Sequence, residues 1–208
     1  AARRLDLTTR AQDDNRWARE LSGNQLVKRR DFTTLNGAEV VVWGFGSIGQ
    51  HLAPMLSALG ARVTGVARQA GTRAGYPVIT PDDLPAHLPS TDVLVSILPA
   101  SPSTQGVINR DVFEALPTHA WVINVGRGAV VDDSDLITAL EQGLIGGAAL
   151  DVFREEPLPP TSPLWQAPNM IITPHTAGGR PVNSGARIEE NLRRYLAGEE
   201  LIGSNRPE

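Results

Sequence analysis

Cysteine is absent from all 208 residues. That excludes disulfides and thiolate chemistry and leaves the compartment open. No apolar run reaches the roughly 18 residues that a membrane-spanning helix needs. A basic surplus is missing too. The net charge is −4 with 20% charged residues, which gives no electrostatic footprint for nucleic acid. There are no internal repeats, low-complexity tracts or linkers, and the opening residues do not read as a signal peptide. A soluble, cytoplasmic protein is expected, with neither nucleic acid nor membrane as partner and no metal. What is present in quantity is apolar sequence, 41% of the chain, enough for a sizeable core.

Apolar runs alternate with helical patterns. Glu39–Trp43 (EVVVW), Arg62–Ala67, Asp92–Leu98 and Trp121–Val125 read as strands, the third of these ended by Pro99. Gly147–Val152 and Met170–Thr173 supply two more, and Pro77–Thr80 a short one. Helical spacing covers Ser47–Leu59, with Ile48, Leu52, Met55, Leu56 and Leu59 as its apolar positions. It returns over Asp133–Gln142 and in a polar helix over Pro181–Leu196. Ala1–Leu5 reads as the inside of a helix, an odd opening that suggests a fragment. Pro-rich stretches at 77–89, 99–102 and 157–168 read as connections. Continuous apolar strands separated by helices indicate a parallel sheet covered on both faces. The expected fold is α/β, a doubly wound, Rossmann-like parallel sheet over residues 31–181. A helix and arm over residues 1–30 and a C-terminal helix over residues 182–208 flank it.

Gly44-Phe45-Gly46-Ser47-Ile48-Gly49 is a G-x-G-x-x-G motif between a strong strand and a strong helix, the context of a dinucleotide-binding loop. Gly44 and Gly46 allow a tight turn and close approach to a pyrophosphate. Gly49 lets helix and strand pack. The N–H groups of Ser47 and Ile48 open the helix toward the phosphates. About 20 residues further on, an NAD site carries an Asp or Glu for the ribose hydroxyls. Here the second strand ends Val66-Ala67-Arg68-Gln69, without a carboxylate. Arg68 beside Ala67 suits a 2'-phosphate, and Arg73 adds a second charge if the loop folds back. NADP is therefore the expected cofactor, with NAD as the alternative.

Three further motifs lie at strand ends: Asn124-Val125-Gly126-Arg127-Gly128, Asp151-Val152-Phe153-Arg154-Glu155-Glu156-Pro157 and Thr173-Pro174-His175-Thr176-Ala177-Gly178-Gly179. Open parallel sheets bind ligands at that edge. Reducing a 2-keto acid needs a cation for the carboxylate, and arginine offers a planar fork. It also needs a proton donor, the usual work of histidine, and a carboxylate beside that histidine orients it. Arg127, Glu156 and His175 are the candidates, with Glu155 the rival carboxylate. His51, His87 and His119 read as surface or helix residues, and Trp17, Trp43, Trp121 and Trp165 as packing.

As a set, GFGSIG, NVGRG, DVFREEP and TPHTAGG resemble the D-isomer-specific 2-hydroxyacid dehydrogenase family. So does Ser96-Ile97-Leu98-Pro99 with Thr104, Gly106 and Ile108. The resemblance runs over nearly the whole chain. It implies Arg127 as the substrate arginine, Glu156, directly before the proline, as the carboxylate partner, and His175 as acid/base. It implies Asp151 at the nicotinamide carboxamide. Leu98, Pro99, Thr104, Val125, Gly126, Ala177 and Gly178 would then line the cofactor site. The family has a second, substrate-binding lobe, and here it is expected to be largely missing. Cofactor binding with little turnover is the expected behaviour of such a fragment. The family also implies a homodimer, through residues 1–35. A small 2-keto or 2-hydroxy acid is the expected substrate. The alternative is a nucleotide-sensing protein like the corepressors that share this fold. Formate oxidation is disfavoured, because that branch carries glutamine where Glu156 stands.

Overall fold

The computed structural model describes residues 4–19, 34–179 and 183–203. The chain divides into two compact units, Ala1–His175 and Thr176–Glu208. The first holds a sheet of eight strands: β1 (Glu39–Trp43), β2 (Arg62–Val66), β3 (Gly71–Arg73), β4 (Tyr76–Ile79), β5 (Val93–Ser96), β6 (Trp121–Asn124), β7 (Gly147–Leu150) and β8 (Met170–Ile172). Their spatial order is β3-β4-β2-β1-β5-β6-β7-β8. Neighbours run parallel throughout, except for β3 and β4. The chain reverses its direction of travel across the sheet between β1 and β5, which makes the sheet doubly wound.

The EVVVW run is apolar at almost every position because both faces of β1 are covered. Val40 and Val42 join Phe45, Ala53, Val63, Val93 and Val95 in one core. Val41 and Trp43 join Leu94, Val122, Leu136 and Leu150 in another. Alternation at period two thus feeds two cores from one strand. The connecting helices are α2 (Ser47–Ala58), α3 (Leu84–His87), α4 (Arg110–Ala115) and α5 (Asp133–Glu141). The last starts where the Asp132 carboxylate accepts the N–H groups of Ser134 and Asp135, a side-chain N-cap.

Several expectations shift. The apolar spacing of α2 is helical, but Ile48, Met55 and Leu59 are exposed, while Gly49 and Ala53 are buried. The helix meets the sheet through Leu52 and Leu56, which pack against the core, and through the buried small residues Gly49 and Ala53, which permit close approach. Among the described residues the first helix, α1, spans Leu5–Asp13, with Arg4 before it. Ala1–Arg3, most of the expected arm (residues 20–33) and Pro181 lie outside the described residues. The stretch 77–89 is no single loop, since it contains most of β4 and all of α3. Trp43 and Trp121 pack in the core, whereas Trp17 is 81% exposed and Trp165 half exposed. His119 is half-buried and paired with Asp92 at 2.7 Å. The second unit holds α6 (Ser184–Ala197), which ends at Gly198 in the left-handed region. Among the described residues, no helix is long and apolar enough to cross a membrane.

Candidate active site

Parallel strands end on a common edge, and the candidate residues lie just past those ends. Gly44 follows β1 with φ +107°, and a Cβ there would stand 2.7 Å from the Ile97 carbonyl oxygen. Only glycine fits such a position. Gly49 is equally confined, 2.9 Å from the Gly44 oxygen. Gly46 differs from both, because nothing lies within 4 Å of its Cβ position. It also opens α2 with no side-chain cap over the first turn, where Ser47 and Ile48 present their N–H groups. Open space before uncapped N–H groups fits the pyrophosphate of a dinucleotide.

Past β2, Ala67 is half-buried and Arg68 exposed. The chain then folds back through a two-residue hairpin turn at Ala74 and Gly75, both with positive φ, as a type I′ turn requires. This returns Arg73 to the glycine loop. Its guanidinium donates to the Phe45 carbonyl at 3.4 Å and to the Gln69 carbonyl at 3.2 Å. In the sequence, the signal for this hairpin is only Ala-Gly between two short runs, and β3 has just three residues.

Past β5, the Thr104 hydroxyl donates to the Pro99 carbonyl at 2.7 Å and accepts the Ser101 N–H at 2.9 Å. Leu98 packs against the next strand end: a Cβ on Gly126 would lie 2.6 Å from its carbonyl oxygen. Past β6, buried Asn124 clamps the turn. Its side chain donates to the Arg127 carbonyl at 3.0 Å and accepts the Gly126 N–H at 3.1 Å. The exposed Arg127 guanidinium folds onto the Gly126 carbonyl at 2.7 Å.

Past β7 and β8, two motifs meet. Asp151 is buried, and its carboxylate accepts the Thr173 hydroxyl. Its carbonyl accepts the His175 N–H at 2.9 Å. His175 has φ +53°, a left-handed backbone uncommon outside glycine. Its Nδ1 lies 2.7 Å from Glu156 Oε2. A carboxylate only accepts, so Nδ1 carries the hydrogen and Nε2 is left for proton exchange. Glu156 Oε1 accepts the Phe153 N–H at 2.8 Å. The hydrogen bond from His175, then that from Phe153, hold the Glu156 carboxyl below the usual carboxylate range. The structure thus brings Glu156 and His175 together and leaves Glu155 exposed. Arg127 hydrogen-bonds its own loop instead. Thr173 and the Phe153 N–H are additions to the expected set, although Thr173 directly follows the strand paired with the one before Asp151. Ala177 and Gly178 fall in the second unit, where both are exposed. Among the described residues no cluster of His, Asp or Glu could hold a metal ion.

The family profile "D-isomer specific 2-hydroxyacid dehydrogenase, NAD binding domain" matches residues 1–177. A D-isomer specific 2-hydroxyacid dehydrogenase family protein from Aeromonas salmonicida is similar at 37% identity, with a TM-score of 0.82 over 97% of this chain and 63% of that one. A D-isomer specific 2-hydroxyacid dehydrogenase from Xanthobacter autotrophicus, solved with NADPH, is 36% identical, with a TM-score of 0.80 over 97% and 80% of the two chains. The NADPH-dependent glyoxylate/hydroxypyruvate reductase of Sinorhizobium meliloti, solved with NADP, is 30% identical, with a TM-score of 0.81 over 96% and 62%. The chain therefore spans less than two thirds of the Aeromonas and Sinorhizobium proteins. By profile, fold and strand-end motifs, the chain belongs to the D-isomer specific 2-hydroxyacid dehydrogenase family, through its NAD-binding domain.

Proposed function

We propose that this chain is the nucleotide-binding part of an NADP(H)-dependent reductase that converts small 2-keto acids to D-2-hydroxy acids. The carrying observation is the 2.7 Å contact between His175 and Glu156, at the same edge of the sheet as a glycine loop fit for pyrophosphate. Gly44, Gly46, Ser47, Ile48 and Gly49 hold the phosphates. Leu98, Pro99, Thr104, Val125, Gly126 and Asp151 line the nicotinamide end. Bound NADPH supplies the hydride. Arg127 binds the keto-acid carboxylate and polarises the adjacent carbonyl. His175 gives the proton from Nε2 to the forming alkoxide, and Glu156 keeps Nδ1 protonated and the ring oriented. The Sinorhizobium relative, a glyoxylate/hydroxypyruvate reductase, supports a substrate of that size.

We further read residues 31–181 as the dinucleotide domain, residues 1–30 as the interlobe helix and arm, residues 182–208 as the helix returning to a substrate lobe, and the protein as a cytoplasmic homodimer. The test is NADPH and NADH consumption across glyoxylate, hydroxypyruvate and related keto acids, by the protein at its natural length. Turnover that collapses in His175→Ala supports the reading. No consumption with any keto acid and either cofactor would leave a nucleotide-sensing role instead.

A further inference from the structure

Arg154 sits between Phe153 and Glu156 in the loop after β7, yet its side chain serves a different loop. Its Nε and Nη2 both donate to the Val131 carbonyl, at 3.1 and 2.8 Å. Nη2 also lies 3.4 Å from an Asp132 carboxylate oxygen. Val131 ends the short turn that follows Arg127, and Asp132 caps α5. The two loops also touch through their backbones. A Cβ on Gly128 would lie 1.9 Å from the Phe153 carbonyl carbon, so that contact tolerates glycine alone.

The consequence reaches the proposed acid/base pair. Phe153, held on one side by Gly128 and on the other by its neighbour Arg154, donates its N–H to Glu156 at 2.8 Å. Glu156 in turn accepts from His175 at 2.7 Å. On the opposite loop, Asn124 ties the Arg127 carbonyl at 3.0 Å. We propose that Arg154 is a positioning residue: its fork on the Val131 carbonyl fixes the loop bearing Glu156 against the loop bearing Arg127. It thereby sets the spacing between the carboxylate clamp and the proton donor. This role rests on the proposed assignment of Arg127, Glu156 and His175. Arg154 is itself half-exposed, so its ion pair with Asp132 contributes little. The planar donation to a backbone carbonyl is what positions the loop.

The experiment uses Arg154→Ala, Arg154→Lys and His175→Ala in this chain. The Glu156 carboxyl is followed by carbon-detected NMR across pH, and the Phe153 amide by hydrogen exchange. Thermal unfolding is recorded for each. Charged neighbours of Glu156 are His175 and Asp151, and neither is altered in the Arg154 variants. Arg154→Ala is expected to lose Phe153 amide protection and to move the Glu156 titration upward. Arg154→Lys, which keeps the charge but not the fork, recovers only part of both. In the protein at its natural length, Arg154→Ala lowers keto-acid turnover about ten- to a hundred-fold, the scale of a small misplacement of reacting groups, while KM for NADPH is unchanged. A lowered Tm with an unmoved Glu156 titration and a protected Phe153 amide would show a surface staple and overturn the proposal. Should Arg154→Ala fail to fold, the lysine variant decides on the same readouts. If His175→Ala also leaves Glu156 unmoved, the acid/base assignment itself fails, which separates the two ideas.

Discussion

His175 Nδ1 and Glu156 Oε2 stand 2.7 Å apart although 19 residues separate them in sequence. Neither residue belongs to a regular element. Each follows one of two neighbouring parallel strands, β7 and β8, and their meeting depends on backbone donations. The Phe153 N–H holds Glu156, and the His175 N–H holds the Asp151 carbonyl. The left-handed backbone of His175 costs on the order of 1–3 kcal/mol, so these bonds maintain an arrangement the residue would not adopt alone.

The pair has a titration consequence. The hydrogen bond from His175 is the largest influence lowering the Glu156 carboxyl, so His175→Ala should raise the Glu156 titration toward its ordinary value. Because the folded value is depressed, the pair stabilises the fold above the unfolded value. That contribution is lost as pH falls through the folded value. Glu156 is about a third exposed, so the stability difference is small and vanishes in acid. NMR titration of Glu156 in both proteins checks the direction, and a downward or absent shift contradicts it.

Two glycines of one loop should respond in opposite ways. Gly44→Val places a Cβ 2.7 Å from a carbonyl oxygen at φ +107°, so the variant should lose several kcal/mol of stability or fail to fold. Gly46→Val meets nothing within 4 Å, so its Tm should stay near that of the parent. Its affinity for NADPH should collapse, because the space it fills is where the phosphates approach. Calorimetric titration together with thermal unfolding separates the two behaviours. Wild-type affinity in Gly46→Val would falsify the pyrophosphate assignment.

Asp132 tests the cap of α5. Its carboxylate is held below the usual range chiefly by the Ser134 hydroxyl and the Asp135 N–H. Asp132→Ala should cost about 1 kcal/mol near neutral pH, and Asp132→Asn less, since the amide oxygen still accepts. With a depressed folded value, the difference between wild type and Asp132→Ala should shrink as pH falls through it. Urea unfolding at neutral and acid pH measures both effects.

Much of this arrangement is legible in the chain. The EVVVW run announces a strand buried on both faces, and the G-x-G-x-x-G motif announces the tight turn and helix after it. The order Arg127, Glu156, His175 at successive strand ends is enough to nominate a site. What is hidden has physical reasons. Periodicity detects α2 and picks out Leu52 and Leu56, which pack on the core, but not the closest contacts, because Gly49 and Ala53 carry little apolar signal. Helix α4 is too short, at six residues, to display a period. The antiparallel β3–β4 hairpin breaks the parallel pattern. The backbone donors to Glu156 and the reach of Arg154 depend on loop conformation, which residue types alone do not specify.

That hairpin sharpens the choice of cofactor. Ala67 stands where a carboxylate would hold the ribose diol and repel a 2'-phosphate. Arg68 is exposed beside it, and the turn at Ala74 and Gly75 brings the Arg73 guanidinium to 3.4 Å from the Phe45 carbonyl within the glycine loop. On the proposed placement of the cofactor, two arginines would border the ribose, Arg68 exposed and Arg73 anchored on the Phe45 and Gln69 carbonyls. A charge-assisted bond to phosphate contributes about 1.5–3 kcal/mol, roughly ten- to a hundred-fold in affinity. NADPH should bind more tightly than NADH by that order, with the gap narrowing as salt rises, because the charges are partly exposed. Arg68→Ala and Arg73→Ala should each narrow the preference, and the pair together should abolish it. Ala67→Asp should reverse it by supplying the diol acceptor and repelling the phosphate. Fluorescence titration of both cofactors into this chain needs no substrate. Equal or tighter binding of NADH by the unmodified chain would show that neither arginine meets the phosphate.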